Sequence, residues 1–134
     1  MADTVMLIHG AWLTPSSWDR FRHRYEAAGM TVMAPPWPHL HRPVDELRRA
    51  PASALGKLGL RQITDHYAAL IEAMPHPPIV IGHSFGGLVA QLLADRGLGA
   101  AVVAIDPTPP FGVIAHPLAI WTSLGVFTAF NGWN

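Results

Sequence analysis

Four short apolar runs recur along the chain, "TVMLI" at 4–8, "MTVMA" at 30–34, "IVIG" at 79–82 and "AVVAI" at 101–105, with helix-like stretches between them. Runs of that length without polar alternation suit strands buried on both faces. Strands that alternate with helical segments imply a parallel sheet, because parallel neighbours need a crossover and right-handed crossovers lay helices on both faces. The expected architecture is therefore α/β, in the order β-α-β-α-β-α-β. At 134 residues, half of them hydrophobic, the chain has the length of one compact domain with a real core.

The segments between the runs carry their own boundaries. The first helix is expected from "TPSSWD", where Ser16 and Asp19 stand at capping-box spacing behind Pro15, and Trp18, Phe21 and Tyr25 recur on one face. Gly29 is its natural stop. Pro35 and Pro36 end the second strand, since proline cannot donate to a ladder. Residues 35–60 hold five of the thirteen prolines and show no sustained period, so a long loop with a short helical turn is expected there. Leu60, Ile63, Tyr67, Leu70, Ile71 and Met74 then mark one face of a helix that "PHPP" terminates. A further helix runs from about Phe85 to Arg96, closed by Gly97.

Composition excludes several classes of function. The formal net charge is zero and the isoelectric point about 7.1, so nothing attracts nucleic acid or an anionic membrane. Arg20, Arg22 and Arg24 read as the wet face of the first helix. Without cysteine there is no disulfide, thiolate metal site or thiol nucleophile. No basic leader with an apolar core precedes "VMLI", and the expected location is cytoplasmic. The longest apolar stretch, 111–130, is broken by His116, Pro117, Thr122 and Ser123, which opposes a membrane span. The first βα turn lacks a Gly-x-Gly-x-x-Gly pattern and no P-loop lysine is present, so a dinucleotide or nucleotide cofactor is not expected.

The chemistry concentrates in "IVIGHSFGG", residues 79–87. A nucleophilic serine must stand clear of its neighbours, and a tight strand-to-helix turn achieves that with backbone strain and small flanking residues. Gly82 and Gly86 supply Gly-x-Ser-x-Gly spacing around Ser84, with His83 between, and Gly87 lets the helix pass close to the strand. By composition alone such a pattern arises by chance about 4% of the time in a chain like this. Its position after a β-rich run and before an apolar helix is the context a nucleophile elbow requires. The competing reading is a glycine-rich turn whose serine caps the helix. Acyl transfer needs two donors on the developing oxyanion. The amide of Phe85 is one, and that of Ala11, ahead of Trp12, is the expected second, because "MLIHGAW" puts His9-Gly10 at the end of the first strand. His9 itself is expected to be structural.

Through "HGAW", "GHSFGG" and "AIDPTPP", each following a strand, the chain resembles the α/β-hydrolase superfamily up to about residue 112. The resemblance implies Ser84 as nucleophile with Phe85 and Ala11 as amide donors. It also implies a partial α/β-hydrolase fold, a four-stranded parallel sheet of order 2-1-3-4. It implies hydrolysis of a small ester, amide or thioester through an acyl-enzyme, with no cofactor and no metal. Family order is nucleophile, acid, then histidine. Asp106 is a possible acid. The one later histidine, His116, reads as part of a cap or loop beside Pro117. His83 is expected to point away along the turn. His39 and His41 read as solvent-facing rather than zinc ligands, and His23, His66 and His76 as surface.

Residues 1–112 are therefore expected to be the N-terminal part of the hydrolase core and 113–134 the incomplete start of a cap or lid. A chain cut within its cap would lack its base and be inactive alone. It would also self-associate or aggregate through an open sheet edge. A non-catalytic binding remnant, and a cofactor-free lyase or haloperoxidase-like activity on the same scaffold, are the alternatives.

Overall fold

The computed structural model describes residues 3–110, 112–114, 116–119 and 121–122. Four strands, β1 (Thr4–Ile8), β2 (Thr31–Met33), β3 (Ile79–His83) and β4 (Ala101–Ile105), form one parallel sheet in the order β2-β1-β3-β4. The pairing sets Ile8 beside Gly82 and His83 beside Ile105. Helices α1 (Asp19–Ala27), α2 (Val44–Arg49), α3 (Leu60–Glu72) and α4 (Phe85–Asp95) fill the connections.

Side chains alternate across a strand, and the core divides accordingly. Met6, Ile8 and Val80 meet Ile63, Tyr67, Ala68 and Ile71 of α3 and Val89, Ala90 and Leu93 of α4 on one face. On the other face Val5, Leu7 and Ile81 pack with Trp18, joined by the partly buried Tyr25 of α1. Each fully buried Leu, Ile or Val contributes about 1.5–3 kcal/mol relative to exposure. The sheet is thus covered on both faces, which explains why its inner strands read as unbroken apolar runs.

Three local expectations are corrected. Ser16 does not cap α1: Pro15 opens a 3-10 turn (Pro15–Trp18), Thr14 takes the extended N-cap backbone, and the Thr14 and Ser16 hydroxyls bond each other at 2.8 Å. Proline's fixed φ suits the first position of a helical turn, which moves the start upstream and puts Ser16 inside it. Arg22 is half-buried with its Nε shielded, while Arg20 and Arg24 are exposed, because alternate positions on a helix do not share one face. The 35–60 segment holds both α2 and a 3-10 turn (Ser53–Lys57).

The exit of β2 is held from outside the loop. Tyr67 of α3 donates its hydroxyl to the Pro35 carbonyl at 2.7 Å, satisfying a group that a proline-rich turn leaves open. Among the described residues no helix is long and apolar enough to cross a membrane. The expected cap segment lies largely outside the described residues. The parts described, including Val113, Ile114, Leu118 and Trp121, are exposed.

Candidate active site

The strand order itself selects a place for chemistry. From β1 the chain turns to β2 on one side, and later strands add beyond β3 on the other, so the connections diverge between β1 and β3. In open parallel sheets ligands bind at that crevice, beyond the carboxyl ends of the strands. His9-Gly10 follows β1 and Ser84 follows β3, and the two turns touch. A Cβ on Gly10 would lie 3.1 Å from Ser84 Cβ and 3.3 Å from the His83 carbonyl oxygen.

Ser84 is the whole of the connection between β3 and α4. Its φ of 55° and ψ of −120° place a side-chain-bearing residue where glycine is normally found, at a cost of about 1–3 kcal/mol. The surroundings hold it there. Its N–H donates to Ile105 O at 3.0 Å, and its carbonyl accepts from Gly87 (2.9 Å), Leu88 (3.2 Å) and Thr108 (3.0 Å). The flanking glycines permit the approach: a Cβ on Gly82 would fall within the backbone of Gly86 and Gly87, and one on Gly86 within the carbonyls of Ile8 and His9. A Cβ on Gly87 would lie 3.0 Å from Pro107 Cβ.

Ser84 sits at the N-cap position yet makes no side-chain cap bond, so capping does not account for the hydroxyl. Phe85, the first helical residue, has an amide without an intrahelical acceptor. The Ala11 amide meets no backbone carbonyl in the described turns. The 11-residue α4 also directs its positive end at the corner.

Asp106 lies one residue past the His83–Ile105 pair, exposed and at φ 41°. That register puts it beside Ser84 in the neighbouring strand exit. His83 is half-buried, its Nδ1 close to Gly10. His116 is exposed and accepts the Leu118 amide on Nδ1 at 3.3 Å. His23, His39, His41 and His76 are exposed. His66 departs from expectation: it is half-buried, and burial, with the charge of His41, pulls its pKa below the ordinary value. Among the described residues no group of three metal-ligating side chains comes together.

His9 is buried, and two bonds fix its state. Nδ1 donates to Gly10 O at 2.9 Å, and Nε2 accepts the Trp37 amide at 3.4 Å. Both together require the neutral tautomer with the proton on Nδ1, and burial lowers the pKa in the same sense. Trp37 is the residue the sequence did not announce; its only signal was an aromatic set among prolines in "PPWPH". A cleft of about 390 Å³ between the 14–16 turn and the 36–44 loop includes neither Gly10 nor Ser84, and backbone geometry, not concavity, identifies the site.

Among solved structures, the chain is similar to an extracellular alpha/beta-hydrolase from a Paenibacillus species, with 22% identity over 96% of this chain and 52% of that one, at a TM-score of 0.68. It is similar to polyneuridine aldehyde esterase, with 18% identity over 92% and 47% and a TM-score of 0.62. It is also similar to the thioesterase domain from the curacin biosynthetic pathway, with 18% identity over 92% and 43% and a TM-score of 0.65. The chain thus spans about half the length of the structures it matches, and at these identities the likeness is one of fold. No curated protein matches it. The alpha/beta hydrolase family matches residues 5–133, from β1 through the strained serine corner and beyond β4, and the chain belongs to that family.

Proposed function

We propose that the chain carries the nucleophile and oxyanion hole of a serine hydrolase. Ser84 Oγ attacks the carbonyl carbon of a small ester, amide or thioester. The amides of Ala11 and Phe85 stabilise the tetrahedral oxyanion, the alcohol, amine or thiol departs with a proton, and water releases the acyl group from Ser84. The observation that carries this reading is the conformation of Ser84, a strained residue held by four main-chain bonds without using its hydroxyl to cap α4. The relatives named as an esterase and a thioesterase support the substrate class.

Among the described residues no imidazole is hydrogen-bonded to the Ser84 hydroxyl: His9 is held by Gly10 and Trp37, and His116 Nδ1 by the Leu118 amide. Asp106 is the candidate acid. Without an oriented base a serine hydroxyl is a poor nucleophile, and the chain alone is expected to turn over little or no substrate. A fluorophosphonate probe tests this. The chain alone should resist stoichiometric labelling, added imidazole should drive labelling at Ser84, and Ser84→Ala should abolish it. Labelling that persists in Ser84→Ala, or that imidazole leaves unchanged, would count against Ser84 as the nucleophile.

A further inference from the structure

The two amides of the proposed oxyanion hole come from separate segments, Ala11 after β1 and Phe85 after β3. A side chain from a third segment reaches both turns. Trp37, after β2, stacks on the His9 imidazole with centroids 5.1 Å and planes 19° apart, and leans on the Phe85 ring at 5.3 Å and 53°. Its own amide donates to His9 Nε2, and His9 Nδ1 in turn donates to Gly10 O. Trp37 is 8% exposed and His9 1%, so both rings are packed on nearly all sides.

The tryptophan is held by its faces. Among the described residues its Nε1 is buried with no acceptor, and an unpaired buried polar group is destabilising. Packing on His9 and Phe85 must offset that. A donor pair serves an oxyanion only when both amides lie about 2.7–3.1 Å from one oxygen, so the distance between the two turns has to be fixed. Gly10 against Ser84 sets one contact between them. The His9–Trp37–Phe85 stack sets the second.

We propose that Trp37 is a positioning residue for the oxyanion hole, a flat spacer that fixes the Gly10–Ala11 turn relative to Phe85. The inference rests on the reading of Ser84 as nucleophile, and its test separates the two. Fluorophosphonate labelling with imidazole is measured as a maximal rate and a half-saturating probe concentration. Trp37→Ala should lower the maximal rate roughly tenfold to a hundredfold and move the half-saturating concentration by less than about threefold, since a misplaced donor is felt mainly in the transition state. Trp37→Phe should recover most of the rate, because a flat ring remains and Nε1 makes no bond that phenylalanine would lose. Trp37→Leu replaces the alanine variant if that one does not fold.

Amide resonances give a readout that needs no reaction at Ser84. The N–H residual dipolar couplings of Ala11 and Phe85, which report orientation and not ring currents, should both change in Trp37→Ala and return toward their original values in Trp37→Phe. The spacer role is overturned if Trp37→Ala lowers only the melting temperature, or if Trp37→Phe is as impaired as Trp37→Ala. If the unsubstituted chain never labels while both amides follow position 37, the spacer stands and the nucleophile reading falls.

Discussion

At Ser84 a serine occupies a backbone conformation that glycine would adopt without strain, and four main-chain hydrogen bonds keep it there. Substituting glycine should release more strain than it costs in chain entropy, so Ser84→Gly should be about 1 kcal/mol more stable than Ser84→Ala. Denaturant melts of the two variants check this, and equal midpoints would mean the corner is unstrained. His9 makes a pH prediction at the same scale. Its folded pKa lies below the ordinary 6.5, as does that of His66, so the folded state resists protons that the unfolded chain accepts. Stability should be flat above that value and fall as pH drops through it, by up to about 1.4 kcal/mol per pH unit for the buried His9 and by less for the more exposed His66, whose charge solvent screens. Unfolding free energies measured from about pH 7.5 down to about pH 5 should show that slope, and His9→Asn should reduce it.

At the scale of elements, the junction of β3 with α4 is built on glycine because the strand and the helix backbones are nearly in contact. Gly82→Ala would drive a methyl into the Gly86 carbonyl and the Gly87 amide. The element pair would have to separate, at about 3 kcal/mol or more. Gly56 is the control: nothing lies within 4 Å of a Cβ there and its φ is not positive, so Gly56→Ala should fall within about 0.5 kcal/mol of the parent or above it. Thermal melts of both variants test the difference, and comparable losses would contradict the close packing at the elbow. Helix α3 shows the other use of spacing. Ile63, Tyr67 and Ile71 form its buried ridge as the sequence pattern indicates, but Thr64 and Ala68 are buried with them, whereas Leu60, Leu70 and Met74 are only partly covered. The apolar periodicity named the helix and missed the rotation of its face, because α4 packs against one side of it.

For the molecule as a whole, the sheet is closed better on one side than the other. Val103 shares the face of Ile81 by register, yet Ile81 is 5% exposed and Val103 44%. In the described residues β4 pairs only with β3, leaving its outer backbone edge open. An apolar side chain on an open edge strand favours pairing with another copy. The chain should self-associate with rising concentration, and Val103→Lys should shift it toward monomer by placing a charge on that edge. Sedimentation at several concentrations reads the change; a monomer throughout, or a lysine variant that associates equally, would remove β4 as the contact.

Local pattern along the chain was enough for the four strands, their order of appearance, the serine corner and the glycines that permit it. These depend on local properties: apolar runs, turn residues and steric limits at a single φ. The sequence also carried enough resemblance to give the strand order 2-1-3-4. Only the packed chain shows that Trp37 bridges two turns, that His9 is neutral with its proton on Nδ1, and that Asp106 stands beside Ser84. Those facts depend on β1 lying between β2 and β3, and on β4 continuing past β3 in register. Pairings between segments distant in sequence leave no periodic trace in it, because each segment's pattern records only that it is buried, not what buries it.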